Sequence, residues 1–136
     1  MQLILVEKKH KSYFSEYDLQ KLFNFKRINF IDEQPIDFLS QLSSKVFAKI
    51  LKNMLELDRL GIAAKRPLVD YLRDDIYELR TGLNNINYRL LYFFDGLDII
   101  LITNGLTKDR EVPNYAIDKA VDLKNLYFKS KSNKNK

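Results

Sequence analysis

The sequence predicts an α+β domain: an antiparallel sheet with N-terminal helices on one side and a helix at the C-terminus. Three observations predict it. Residues 36–60 repeat apolar side chains at three- and four-residue steps, the spacing of one helical face. Residues 76–103 fall into three β-branched and aromatic runs separated by turn signals. From Pro113 the helical spacing returns, with Ile117, Ala120, Val121 and Leu126 on the inward side.

The elements follow in order. Residues 3–6 read as a short strand, and residues 12–23 carry charged and aromatic side chains at roughly helical spacing. Together residues 1–24 form an extension whose pattern defines no element sharply. Residues 25–31 alternate imperfectly and read as a strand. Asp32-Glu33-Gln34-Pro35 then opens a helix, with Pro35 near its first turn and Asp37 at its positive end. Leu39, Leu42, Val46, Ile50, Met54 and Leu57 form its apolar face, which Phe47 and Leu51 widen. Gly61 stands where a C-terminal cap would end it. The preferred reading is one long or slightly broken helix, with Ser43-Ser44 as the point where it would divide.

Pro67 and Asp74-Asp75 bracket a short extended piece, residues 68–72. The strands 76–80 and 88–94 follow, joined by a hairpin connection over residues 82–87. Asp95-Gly96 is a tight-turn signal. It leads into residues 98–103, a β-branched run expected to end at Asn104-Gly105. Residues 129–136 contain only Lys, Ser and Asn, a composition expected to leave a disordered basic tail. The organisation is therefore one domain, 1–128, followed by a tail, 129–136.

A chain of 136 residues, 46% hydrophobic and 12% aromatic, suits one domain with its own core. The absence of cysteine excludes disulfides and thiolate metal sites, and fits a reducing cytoplasm. The apolar run at residues 3–6 is cut by Glu7-Lys8-Lys9, too soon for a signal peptide or membrane span. A net charge of +5 favours polyanionic partners: RNA, DNA or an acidic protein tail. His10 is the only histidine, which excludes a mechanism with paired histidines. No cluster of ligand types predicts a metal or cofactor.

The hairpin register carries the sharpest functional signal. It sets Arg80 opposite Arg89, and like charges placed opposite each other destabilise a sheet. Either an anion binds both, or they pair with Glu78, Asp74 or Asp75 as ordinary salt bridges. Arg suits phosphate because its planar fork donates hydrogen bonds in pairs. Lys108 and Arg110, expected in the loop after the third strand, would add positive charge at the same end. Tyr77, Tyr88 and Tyr92 lie on the same strands. Their rings would either stack on unpaired bases or fill the core.

The pattern Tyr77-Glu78-Leu79-Arg80, then Tyr88-Arg89-Leu90-Leu91-Tyr92-Phe93-Phe94, then Asn104-Gly105-Leu106-Thr107-Lys108, with Pro113 and Ala120 following, resembles the phage-derived HigB-like toxins. These belong to the RelE/ParE toxin superfamily, and the resemblance covers residues 25–126. It implies the compact RelE-like fold. It also implies the toxin of a type II toxin–antitoxin system, a ribosome-dependent mRNA endoribonuclease that inhibits translation. The chemistry would be metal-free attack by the RNA 2′-hydroxyl. Arg89 matches the family's arginine on the second strand, and Arg80 matches a second basic position. With Lys108 they would be the catalytic set, while Arg110, Tyr77 and Tyr92 would bind substrate. Lys108 or Glu78 would serve as general base, and Tyr115 is a further candidate.

Where the family often has Phe-x-Lys-Lys, this chain has Leu106-Thr107-Lys108-Asp109, with Arg110 one step later. Asp109 thus replaces the family's second lysine: either Arg110 takes over its charge or this member is weaker. The implied partners are a HigA-like helix-turn-helix antitoxin, the ribosome and mRNA, with operator DNA bound only through the antitoxin and no membrane. The implied location is cytoplasmic. Two other readings stay open: a ParE-like gyrase inhibitor, and a non-catalytic RNA-binding or inactive phage-borne relative.

Overall fold

The computed structural model describes residues 20–134. The strand expected at residues 3–6 and most of the helical spacing at 12–23 lie outside the described residues. The described elements are β1 (Ile28–Phe30), α1 (Gln34–Ser40), α2 (Ser44–Leu60), β2 (Val69–Arg73), β3 (Ile76–Leu83), β4 (Ile86–Asp95), β5 (Ile99–Lys108) and α3 (Asn114–Lys134). The five strands form one sheet in the order β1-β5-β4-β3-β2, antiparallel except for the parallel pair β1 and β5. The fold is α+β, as the pattern predicts.

Local chemistry sets the turns. Asn84 and Asn85 join β3 to β4 with φ of 54° and 66°, a left-handed pair that asparagine tolerates and that matches the twist of a hairpin. The strands therefore run further than expected, and the connection shrinks to two residues. Asp74 and Asp75 repeat the device between β2 and β3, with φ of 50° and 65°.

The expected long helix is two helices. Ser43 is extended, at φ −61° and ψ 156°, and its hydroxyl accepts a hydrogen bond from the Val46 N–H. A serine that caps a new helix ends the old one, because the cap residue cannot itself be helical. At the far end Gly61 takes φ 57° and donates its N–H to the Leu57 carbonyl, the capping role expected of it.

β5 continues through Asn104-Gly105 to Lys108, correcting the expectation that the pair would end it. Gly105 serves close packing instead of a turn: a Cβ there would overlap the Phe38 ring of α1. The Gln34 side chain locks this approach. It donates to the Gly105 carbonyl at 2.8 Å and accepts from the Gly105 N–H at 2.7 Å.

Strand alternation divides the core in two. Leu79, Leu90, Tyr92, Ile100 and Ile102 pack against Ile36, Leu39, Ile50, Met54 and Leu57 of α1 and α2. On the opposite face Ile76, Leu91, Phe93 and Leu101 meet Val112, Ala116, Ile117 and Ala120 at the start of α3. Residues 129–134 continue α3 as helix, so up to Lys134 the expected disordered tail is ordered. Tertiary contacts hold this end: Tyr127 and Lys131 both donate to Asp95, at 2.7 and 2.6 Å. Among the described residues no helix is long and apolar enough to cross a membrane.

Candidate functional site

The face that α3 covers extends beyond the helix's first turn. There the alternation that points Ile76 and Leu91 under α3 points Glu78 and Arg80 of β3, Arg89 of β4 and Lys108 of β5 the same way. The register confirms the expected pairing of Arg80 with Arg89, and sets Asn87 opposite Lys108. Arg80, Arg89 and Lys108 thus come together as anticipated. Lys108 does so from the end of a strand, where the sequence suggests a loop. The backbone beneath is pinned from the other face: Asn53 of α2 donates to the Arg80 carbonyl at 3.2 Å and to Thr81 Oγ1 at 2.8 Å.

Glu78 is the centre of the group. Its Oε1 accepts from Arg89 Nε at 3.0 Å, and lies 3.6 Å from Arg80 Nε and 4.0 Å from Lys108 Nζ. Arg89 Nη1 also donates to the Tyr88 carbonyl at 2.8 Å, and Lys108 Nζ donates to the Arg110 carbonyl at 3.1 Å. The anion that reconciles the facing arginines is therefore already inside the protein. This corrects the inference that the pair by itself demands an external one; the salt-bridge alternative accounts for it.

The charges nevertheless do not cancel. One carboxylate faces three cations, and Arg110 is exposed with no ion pair among the described residues. The side chains of Glu78 and Arg89 are each 4% exposed, against 11% for Lys108 and 34% for Arg80. The cluster has two tiers: a buried Glu78–Arg89 pair beneath, and cations that reach solvent above. Burial pushes Arg89 below its ordinary value; the Glu78 carboxylate opposes that shift, and the nearby Arg80 charge adds to it. Asp70, opposite Glu78 on β2, is taken up by Arg66 at 2.7 Å.

Of the two readings open for the tyrosines, the structure takes the core, which corrects Tyr77 and Tyr92 as substrate-binding residues on the cationic face. Tyr77 and Tyr92 have the opposite strand parity, so they lie on the α2 face, stacked with ring centroids 5.5 Å apart. Tyr92 is 1% exposed, and burial raises its hydroxyl well above the ordinary value. Tyr88 is buried in the same core. These side chains fill the interior and do not line the cationic face. Tyr115 is exposed on the first turn of α3. Glu78, read from the sequence as a salt-bridge partner or alternative base, is the hub; its position two residues before Arg80 on one strand was the signal. Among the described residues no group of three metal-ligating side chains exists.

The fold and this site define a small α+β domain with a cationic sheet end organised around one buried carboxylate. The chain belongs to the phage-derived protein Gp49-like family (DUF891), whose model matches residues 37–125 and so includes the whole cluster. That family is associated with RelE/toxin-like proteins. No curated protein and no solved structure matches the chain.

Proposed function

We propose that this protein is the toxin of a type II toxin–antitoxin pair, HigB-like in kind, which cuts mRNA on the ribosome and so stops translation. The observation that carries the reading is the excess of positive charge at Arg80, Lys108 and Arg110 over Glu78, on a face that α3 leaves open. Such a surface suits a chain of phosphates.

In this mechanism the RNA 2′-hydroxyl attacks the adjacent phosphorus. A bond from that oxygen to phosphorus forms, the bond to the 5′-oxygen breaks, and the products are a 2′,3′-cyclic phosphate and a 5′-hydroxyl. Arg80 and Lys108 stabilise the charge that grows on the phosphoryl oxygens, where fixed donors are worth most. Arg89 acts from beneath by holding Glu78. Glu78 accepts the 2′-hydroxyl proton where Lys108 stays charged, or neutral Lys108 accepts it and leaves the charge stabilisation to Arg80; the departing 5′-oxygen takes its proton from water. Arg110 binds the RNA backbone. The ribosome presents an unstacked message in line for attack, so free RNA is a poor substrate. The partner is a HigA-like helix-turn-helix antitoxin, which also carries the complex to operator DNA, and the protein works in the cytoplasm.

The burial of Arg89 against Glu78 favours a second reading, a non-catalytic RNA-binding relative, because a guanidinium so engaged is a strut as much as a catalyst. One experiment separates the readings: inducing the protein in a bacterium without its antitoxin, with primer extension on a reporter message, beside Arg80→Ala and Lys108→Ala. Translation-dependent cuts that weaken in both variants support the nuclease. Bound but intact message supports the second reading. Growth arrest with intact message and broken DNA would turn the search to gyrase.

A further inference from the structure

We infer that Glu78 is a resident counter-ion, which an RNA phosphodiester displaces from Arg80 and Lys108 while Arg89 stays bound to it. This deepens the proposed reading to the extent that it takes the cluster as a phosphodiester site; it does not require cleavage.

The three cations are not held alike. Arg89 makes a true hydrogen bond to Glu78, at 3.0 Å, and has a second anchor on the Tyr88 carbonyl. At 3.6 and 4.0 Å, Arg80 and Lys108 lie beyond hydrogen-bonding range of Glu78 and are drawn to it by charge alone, while Lys108 spends a hydrogen bond on the Arg110 carbonyl. Among the described residues the Arg80 guanidinium donates no hydrogen bond, although it carries five N–H groups. A buried cation would need such bonds; one that is 34% exposed keeps them for water or a ligand. The unspent fork is the geometry that a phosphate accepts in pairs.

One carboxylate cannot neutralise three cations, but it keeps them together against their mutual repulsion. In doing so it screens the site, and it repels an incoming phosphate across the same few ångströms. A phosphate that reaches Arg80 and Lys108 from the solvent side replaces the weaker part of Glu78's role. It leaves the buried Glu78–Arg89 pair undisturbed, since neither of those side chains is more than 4% exposed. The internal carboxylate therefore holds the empty site in shape and sets its affinity low. Binding then depends on presentation of the RNA in addition to charge.

The test is the purified full chain, wild type beside Glu78→Gln, titrated with a short 2′-O-methyl oligoribonucleotide that cannot be cut because its 2′-oxygens are blocked. Removing the competing charge should tighten binding on the order of tenfold at low salt. It should also steepen the dependence of log affinity on log salt by about 0.7, the contribution of one more neutralised phosphate on a single strand. Equal or weaker binding by a folded Glu78→Gln overturns the inference, as does an absence of affinity in both proteins.

Loss of fold in that variant is covered by wild type alone. The carboxyl carbon resonance of Glu78 should move on addition of the oligonucleotide, and a resonance that stays in place overturns the displacement. If Glu78 acts only as the base, Glu78→Gln will bind as wild type does while cleavage is lost, which also defeats the counter-ion role. If Glu78→Gln binds tighter and ribosome-linked cuts never occur in wild type, the nuclease reading falls and the counter-ion stands.

Discussion

Among the described residues two carboxylates are buried, and they meet opposite kinds of partner. Asp58, at the end of α2, accepts from the backbone N–H groups of Lys26, Arg27 and Ile28 at 2.9, 2.7 and 3.0 Å. Glu78, at 3% exposure, faces three side-chain cations. The backbone donors at Asp58 are dipoles fixed by the chain, and their number suits a carboxylate's lone pairs, so the arrangement is closed. The cations at Glu78 are side chains brought in from three strands, exceed it in charge, and include one whose donors are unspent. Burial alone therefore does not mark a functional site. The balance of charge around the buried group distinguishes a closed anchor from a cluster with positive charge to spare.

The comparison can be broken most directly at Asp58. Asp58→Ala strands three backbone donors and should cost on the order of 4 kcal/mol in urea unfolding, while leaving oligonucleotide affinity per folded molecule unchanged. A loss under about 1 kcal/mol would remove Asp58 as the anchor of β1. Arg89→Ala leaves a buried carboxylate without its hydrogen-bonded partner, so it should cost about 3 kcal/mol of stability and weaken function with it.

Arg80→Ala is the contrasting case. With the side chain one-third exposed, its stability should change by less than about 1 kcal/mol. Message cleavage should fall about a hundredfold, as expected when one donor to a charged transition state is removed. Primer extension and thermal melting on the same preparation give both numbers, and a large stability loss would make Arg80 a second strut.

Gly105→Ala tests the platform without touching a charge. The new methyl meets the Phe38 ring, and the overpacking should cost about 2 kcal/mol. Asp95 offers an intermediate between the two carboxylates, with one neutral and one cationic partner. Burial alone would raise its pKa, but the Lys131 and Tyr127 hydrogen bonds outweigh that and hold it below the ordinary value. A depressed folded pKa stabilises above the unfolded value and loses that stabilisation as pH falls through the folded one, so Lys131→Met should flatten the acid limb of the stability curve. Tyr127 is pushed up to about 12, by burial first and then by Asp95. A raised folded value stabilises below the unfolded pKa near 10 and is lost as pH rises toward the folded one. Tyr127→Phe should cost about 1 kcal/mol at neutral pH and remove that alkaline loss.

Much of the fold was legible because local chemistry agrees with it. The apolar steps from Leu39 to Leu57, the turn residues before β3 and after β4, and Gly61 each state their role within a few residues. Ser43 was also readable, as a cap, but the apolar spacing runs across it and hides the break. Asn104-Gly105 misled because the same dipeptide serves a turn and a close approach, and only α1 decides between them. In the site, the facing arginines followed from hairpin register. Of the two readings open for the tyrosines, filling the core holds, because their strand parity is opposite to that of the arginines.

The sequence by itself determined the alternation of strands and helices, the pairing of Arg80 with Arg89, and a basic chain without thiols or clustered ligands, because these depend on residue type and short-range spacing. The tertiary structure decided which face α3 covers, where it stops short, and that Glu78 lies beneath the cations. It also decided that residues 129–134 stay helical, through Tyr127 and Lys131 on Asp95. The reason is physical: a charge's meaning depends on the dielectric and the partners around it, and packing brings those partners from β3, β4, β5 and α3 across tens of residues of chain.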